Sequence, residues 1–342
     1  MKRVWFIFMA VCIGSFFVAL LPLAQAQAQT FKLTFSCQLP KTHVISKLSQ
    51  AWCKEVEDRT KGRVKVQLFP GGTLTKPQDI YEGVVKGLSD IGQSLLSYSR
   101  DRFPVMSTTG LPLGYTSGKV ATGVVNEVYR HFKPKELADT EVMYLHGHGP
   151  GFICTRGKAV ARLEDMKGLR VRSQEDGRRI VEQLGGIYVF SVIPAVYSML
   201  QEGKITGATN PLAGLAKSGY RLGEIANHVT AAYSVAYTAP FFVVMNKGKW
   251  KALPEDVRAI IREINSEWIP QCGEAWDTMD SEGRRYFLDH GGQIIGLSAE
   301  EAARWKKAIT PMIEDYAKSL DDKGLTGAEI VRFTIDTLNS MQ

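Results

Sequence analysis

Alternating strand and helix patterns that run once along the first hundred residues and then start again restrict this chain to a layered α/β fold. Phe31-Lys32-Leu33-Thr34-Phe35 alternates apolar and polar residues, as a half-buried strand does. Ser46 to Thr60 then carries Leu48, Trp52, Cys53 and Val56 at helical spacing, and Lys61-Gly62 ends the helix. Arg63 to Phe69 alternates again and is closed by Pro70-Gly71-Gly72. A helix over Gln78–Leu88 and a third strand starting in Asp90–Ser94 complete the first run. Such an order predicts a parallel sheet with covering helices, its strand C-termini gathered at one edge where a ligand crevice forms. The second run has strands at Val142–Leu145, Leu169–Arg172 and Ile187–Phe190, and helices at Arg178–Leu184 and Val196–Gln201. Phe241–Met245 is the most apolar later strand, and a helical region runs from Pro254 to about His290 with an expected kink at Pro270. The expectation is two α/β halves that exchange segments.

The first residues read as an address. Lys2 and Arg3 precede an uncharged run from Val4 to Leu21, Pro22 breaks it, and Ala24-Gln25-Ala26 offers a small-residue cleavage site. These are the three parts of a secretory signal peptide, here residues 1–26. A membrane anchor is the alternative, because the run is close to the spanning minimum of about 17 residues. The 342-residue chain, 44% hydrophobic, is long enough for a full core. Its net charge of +7 is spread along the chain without a basic run interleaved with aromatics, which excludes a nucleic-acid partner and suits an anionic ligand. Beyond the leader, Cys37, Cys53, Cys154 and Cys272 form no Cys-x-x-Cys. A Cys37–Cys53 bridge and buried free thiols are both open.

Little in the sequence points to catalysis. His146-Gly147-His148 places two imidazoles on one side of an extended segment, fewer than a closed metal site needs, so neither a metal nor a cofactor is expected. There is no Gly-x-Ser-x-Gly elbow, and Gly147, Gly149 and Gly151 match neither the Walker nor the Rossmann spacing. Binding parts are more evident. In Leu169-Arg170-Val171-Arg172 the alternation turns both arginines to one face, where one at the strand end can grip an anion in a bidentate fork. A surface pair with Glu175 or Asp176 is the plainer alternative. Asn210 precedes Pro211 and is held extended, with its amide turned either to a ligand or to its own turn. Tyr233 and Tyr237, four apart in what reads as an extended segment, share a side and are either core or cleft wall.

On Asp165-Met166-Lys167-Gly168-Leu169-Arg170-Val171-Arg172 and Val196-Tyr197-Ser198-Met199-Leu200-Gln201-Glu202-Gly203 the sequence resembles a known family. It is similar to the DctP-type solute-binding subunits of tripartite ATP-independent periplasmic (TRAP) transporters. Thr60-Lys61-Gly62-Arg63-Val64, Gly87 to Gly92 and Met245-Asn246-Lys247 with Trp250 and Leu253-Pro254 support the likeness. The resemblance implies a two-lobed periplasmic binding protein fold, each lobe a mixed sheet flanked by helices, with crossing strands and a long inter-lobe helix. It places lobe I at 27–148 plus 237–278 and lobe II at 149–236 plus 279–342. It further implies a periplasmic monomer, not an enzyme, that closes on a small organic anion, carboxylate or sulfonate, and delivers it to membrane permease subunits. A ligand-binding partner of a membrane sensor is the alternative role. The signature arginine falls on Arg172 and the second-lobe asparagine on Asn210. By topology, His43, Gln93, Ser94, Tyr98, Phe152, Tyr233 and Tyr237 would wall the site. Two departures bear on the ligand. Gly151-Phe152-Ile153 lacks the arginine many relatives carry there, with Arg156 expected on the opposite face, and Thr206 replaces an acidic residue. These point away from a simple dicarboxylate, toward a hydroxy, oxo, aromatic or sulfonic acid.

Overall fold

The computed structural model describes residues 30–99 and 101–342; the expected signal peptide lies outside the described residues. The first run forms β1 (Phe31–Cys37), α1 (Val44–Arg59), β2 (Val64–Phe69), α2 (Ile80–Val85), β3 (Ile91–Leu95), α3 (Gly118–Phe132) and β4 (Thr140–Gly147). The chain then crosses into β5 (Gly151–Thr155), β6 (Arg170–Ser173), α4 (Arg178–Gln183), β7 (Ile187–Phe190), α5 (Val196–Gln201), β8 (Gly207–Pro211) and β9 (His228–Ala231). It returns through β10 (Pro240–Asn246) and α6 (Lys247–Ala252) to α7 (Glu255–Asp289), and ends with β11 (Gln293–Gly296), α8 (Ala299–Asp321) and α9 (Gly327–Met341).

Two mixed sheets result. The first has the order β2-β1-β3-β10-β4 and the second β11-β9-β5-β8-β6-β7. In the first, β1 pairs parallel with β2 and β3, and the returning β10 inserts antiparallel between β3 and β4. In the second, β6 lies parallel to β7 and β8, while β5 runs antiparallel to β8 and β9. Because β10 belongs to the first sheet and follows β9 of the second, two strand connections cross between the sheets. The C-terminal ends of β1, β3, β6 and β8 all open on the space between them.

The helix α3 forms against weak local preference: Gly118, Val120, Thr122, Gly123, Val124 and Val125 are poor helix formers, yet they fold as helix. Ser117 caps the helix, accepting from the Val120 N–H at 3.0 Å. Ala121, Val124, Val125 and Val128 are fully buried beside Phe242 and Val244 of β10. Packing of that stripe overrides propensity.

The long helix α7 joins the two sheets. It is continuous over 35 residues, on the order of 50 Å, and passes through Pro270. Val257, Ile261, Ile264 and Trp268 pack into the first sheet's core, whereas Phe287 belongs to a cluster on the second. One turn apart, Asp277 accepts from Gly118 N–H at 2.5 Å, at the start of α3, and Asp280 accepts from Ala213 N–H at 2.6 Å, after β8. At Gly283 the helix backbone comes so near the loop after β8 that a Cβ would stand 1.9 Å from the Leu212 carbonyl oxygen. Glycine to alanine inside a helix ordinarily stabilises by about 1 kcal/mol. Here Gly283→Ala is expected to lower the melting temperature instead, because backbone must move to admit the methyl group. A thermal melt of that variant reads the sign directly.

Candidate functional site

A cavity of about 650 Å³ lies between the sheets at the strand ends. From the first sheet it is lined by Gln38 and Leu39 after β1, His43 at the start of α1, Leu95 and Tyr98 after β3, and Phe241 of β10. From the second come Arg172, Gln174, Thr209, Asn210 and Tyr220, with Val192 to Pro194 at the edge. His148, Tyr237 and Trp276 come from the crossing segments and α7. Lys76 also borders the space, but it is exposed. Among the described residues no aspartate or glutamate lines it.

Arg172 is the electrostatic centre. The parallel register of β6 with β7 and β8 sets it next to Ala208 and Val189, one residue from the strand's end. It is 1% exposed, Nε donates to the Ser191 carbonyl at 2.8 Å, and Nη2 is buried without a partner. Burial lowers its pKa, and the phenols of Tyr237, Tyr98 and Tyr220 act in the opposite sense. A buried guanidinium with an idle donor and no counter-ion is set up for an incoming anion. The alternative of a surface pair with Glu175 or Asp176 is not what the structure has: the side chain is inside. Its neighbour Arg170 is exposed and donates to the Gly203 carbonyl.

Asn210 lies on the adjacent strand β8, opposite Phe152 of β5. Its amide nitrogen donates to the Pro211 carbonyl. Gly214 makes the room for it, since a Cβ there would fall 2.0 Å from Asn210 Nδ2. Gly151 does the same for Tyr237, whose ring Cε1 would lie 2.1 Å from a Cβ at that position.

Five of the nine side chains expected at the site border the cavity: His43, Tyr98, Arg172, Asn210 and Tyr237. Gln93 and Ser94 do not. The Gln93 amide is bonded to His146, Ser49 and Cys37, and Ser94 Oγ donates to Gln38 Oε1 at 2.7 Å and to the Pro77 carbonyl at 2.8 Å. Phe152 and Tyr233 are also elsewhere, ring against ring at 4.9 Å, with Phe152 lining a separate void of about 20 Å³ beside Trp305. Tyr233 and Tyr237 do not share a side as an extended segment would have it. Tyr233–Val235 is a single 3-10 turn, which leaves Tyr233 46% exposed while Tyr237 faces inward. Arg156 is spent outside, donating to the Leu200 and Gln201 carbonyls at the end of α5.

The sequence did not mark Trp276 or Tyr220. Trp276 sits in the apolar stripe of a long helix and reads as core, and Tyr220 lies in an irregular segment without periodicity. Cys37, Cys53, Cys154 and Cys272 are buried free thiols, with burial raising Cys53 to about 12 and Cys154 to about 11. Among the described residues no group of three or more His, Cys, Asp or Glu side chains is arranged to hold a metal ion.

Residues 35–319 match the family model of bacterial extracellular solute-binding protein, family 7, DctP. A solute-binding protein of Albidiferax ferrireducens is 25% identical over 308 residues, covering 86% of this chain and 88% of its own. A TRAP solute binding protein from an unidentified marine microbe, specific for aromatic acid ligands and solved with 3-hydroxybenzoate, superposes with a TM-score of 0.86 at 27% identity over 92% of this chain and 99% of that one. Another, from Rhodoferax ferrireducens and holding copurified benzoate, superposes with a TM-score of 0.83 at 25% identity, covering 91% and 98%.

Three imidazoles surround the indole of Trp276, with ring centroids at 5.4 Å for His43, 6.2 Å for His146 and 6.0 Å for His148. Burial holds all three neutral, lowering His43 and His148 to about 4 and His146 to about 3. The unfolded chain takes up these protons near the ordinary value of about 6.5. Stability from the neutral imidazoles is therefore complete above that pH and is lost as pH falls toward 4, by on the order of 3 kcal/mol per ring. Asp280 has the opposite slope, because burial raises its carboxyl to about 7. The folded state then holds a proton that the unfolded state releases, so its contribution is lost as pH rises through that value. Chemical denaturation at stepped pH should show stability falling between pH 6.5 and 4, more steeply in Asp280→Asn than in the native sequence.

Proposed function

The chain belongs to the DctP family of bacterial extracellular solute-binding proteins, the solute-binding subunits of TRAP transporters, and we propose that it captures an aromatic monocarboxylate and passes it to membrane permease subunits. The observation that carries the ligand class is Arg172, a buried cation with an unpartnered Nη2 in a cavity lined by no acidic side chain among the described residues. Around it stand Tyr98, Tyr220, Tyr237, Phe241 and Trp276, a lining suited to a flat ring. The solved relatives with 3-hydroxybenzoate and with benzoate support the same reading. One deep cation argues for one anionic group. Among the described residues Lys76 also reaches the cavity, but it is exposed and would meet a second carboxylate only in water.

Capture proceeds by closure of two lobes, 27–148 plus 237–278 and 149–236 plus 279–342, about the crossing segments. Arg172 and Asn210 hold the carboxylate from one lobe. Once His43 and Tyr98 of the other also touch the ring, the ligand favours the closed state by its extra contacts there. Membership of this family supports a periplasmic location for the protein.

Replacing Arg172 with methionine tests the assignment. Leaving a desolvated carboxylate unpaired costs about 2–5 kcal/mol, so affinity for benzoate or 3-hydroxybenzoate should fall at least about thirtyfold by calorimetry. The melting temperature of the unliganded variant should not drop, because the change removes a buried unpaired charge. Retained affinity would refute the role given to Arg172. Tight binding of aliphatic diacids or sulfonates, with none of aromatic carboxylates, would refute the ligand class.

A further inference from the structure

We propose that His43 determines specificity within this site: its Nε2–H donates to a neutral oxygen on the ligand's ring, so that a hydroxy- or oxo-substituted aromatic acid is preferred over the plain acid. The inference rests on the reading of the cavity as an aromatic monocarboxylate site.

His43 is at the N-cap of α1, on the side of the cavity that belongs to the first sheet, whereas Arg172 belongs to the second. The side chain is 2% exposed, and Nδ1 accepts from the Ile45 N–H at 3.2 Å. A backbone N–H can only donate, so Nδ1 must carry the lone pair. In a neutral ring the proton is then on Nε2. That nitrogen has no hydrogen-bond partner among the described residues, and the ring borders the cavity. The ring plane is held by edge-on contact with Trp276 at 5.4 Å and by Tyr220 at 6.5 Å. His43 is therefore a fixed donor aimed at the ligand from across the cavity.

The other imidazole at the cavity has no such capacity. His148 Nδ1 is 2.5 Å from the Gly149 carbonyl, and its Nε2 accepts from Ala239 N–H at 3.1 Å. Both of its nitrogens are used by backbone. His43 also remains uncharged near neutral pH, since burial lowers it to about 4. It offers a hydrogen bond but no ion pair, which favours a hydroxyl or carbonyl oxygen over a second carboxylate. An unsubstituted ring closing over His43 would strip water from Nε2–H and give nothing back, the circumstance in which a polar site discriminates strongly.

The test is calorimetric titration of the full mature chain with benzoate, the three hydroxybenzoate isomers and isophthalate. The native protein should bind at least one hydroxybenzoate about tenfold or more tightly than benzoate, and more tightly than isophthalate. In His43→Phe, which keeps a ring but no donor, the hydroxybenzoate-to-benzoate ratio should fall to about one. His43→Asn retains a capping side chain and should lose the ratio too, and melts of both variants establish that they fold. A general structural defect would weaken every ligand and leave the ratio in place, so the ratio is the diagnostic quantity. Equal binding of benzoate and all three isomers by the native protein overturns the inference while leaving the aromatic-acid reading intact. So does a ratio that survives in both variants, or isophthalate binding as tightly as the best isomer. Binding of none of these acids overturns the aromatic-acid reading and this inference with it.

Discussion

A guanidinium that is 1% exposed, keeps one hydrogen bond to a carbonyl and has no carboxylate beside it sets the terms for everything around Arg172. Such a charge is tolerable only where water or a ligand can reach it, and the cavity between the sheets provides that access. Among the described residues that line the cavity with it are the neutral phenols of Tyr237, Tyr98 and Tyr220 and no acid. An aspartate in any of those places would satisfy the arginine permanently and remove its attraction for an outside anion. The missing internal partner is thus what gives the fold an unfilled electrostatic demand. In the proposed closure the ligand's carboxylate meets it.

The geometry that keeps this demand open depends on contacts far from the arginine. The helix α7 runs along both sheets, and its Asp277 and Asp280 accept from opposite sides, one at the start of α3 and one after β8. Asp280 also fits against Gly149, where a Cβ would lie 1.7 Å from its Oδ2, at the first crossing between the sheets. Carboxyl groups that accept from these backbone N–H groups fix where the start of α3 and the end of β8 lie relative to the helix. Trp276, next to Asp277 on the same helix, donates from Nε1 to His146 Nδ1 at 3.1 Å and shows its face to the cavity. One element therefore carries both the connection between the sheets and part of the ligand wall, so displacement of α7 would alter the cavity directly.

Much of the fold was legible because alternation of period two and period 3.6 survives wherever one face of an element is buried. β1, α1, β2 and β6 are of this kind, as is the long helix from Pro254, whereas β7 and β10 are legible as short apolar runs. No element is read from the sequence at β5, which is buried at every position, or at α3, whose valines pack against β10. At the site, Arg172 could be found because its motif fixes it at a strand end, and Asn210 because proline fixes its backbone. Tyr233 and Tyr237 could not be sorted, since a 3-10 turn of three residues leaves no periodic trace. Trp276 and Tyr220 reach the cavity by tertiary placement alone. Gln93 shows the opposite error: it stands near the end of the expected strand, but hydrogen bonds to three neighbours hold it beneath the cavity floor.

The histidines connect stability with selectivity. Packing three imidazoles around one indole in a buried place forces them neutral, and that is the origin of the stability lost in acid. The same neutrality leaves Arg172 as the one cation deep in the cavity lining among the described residues, with Lys76 out in solvent. Had His43 or His148 been charged at neutral pH, the cavity would present two or three positive centres and a diacid would be its natural complement. Held neutral, His148 serves only backbone, and His43 contributes direction without charge. A site with one buried charge and one fixed neutral donor on the opposite wall distinguishes ligands by where their second oxygen lies, not by how many charges they carry.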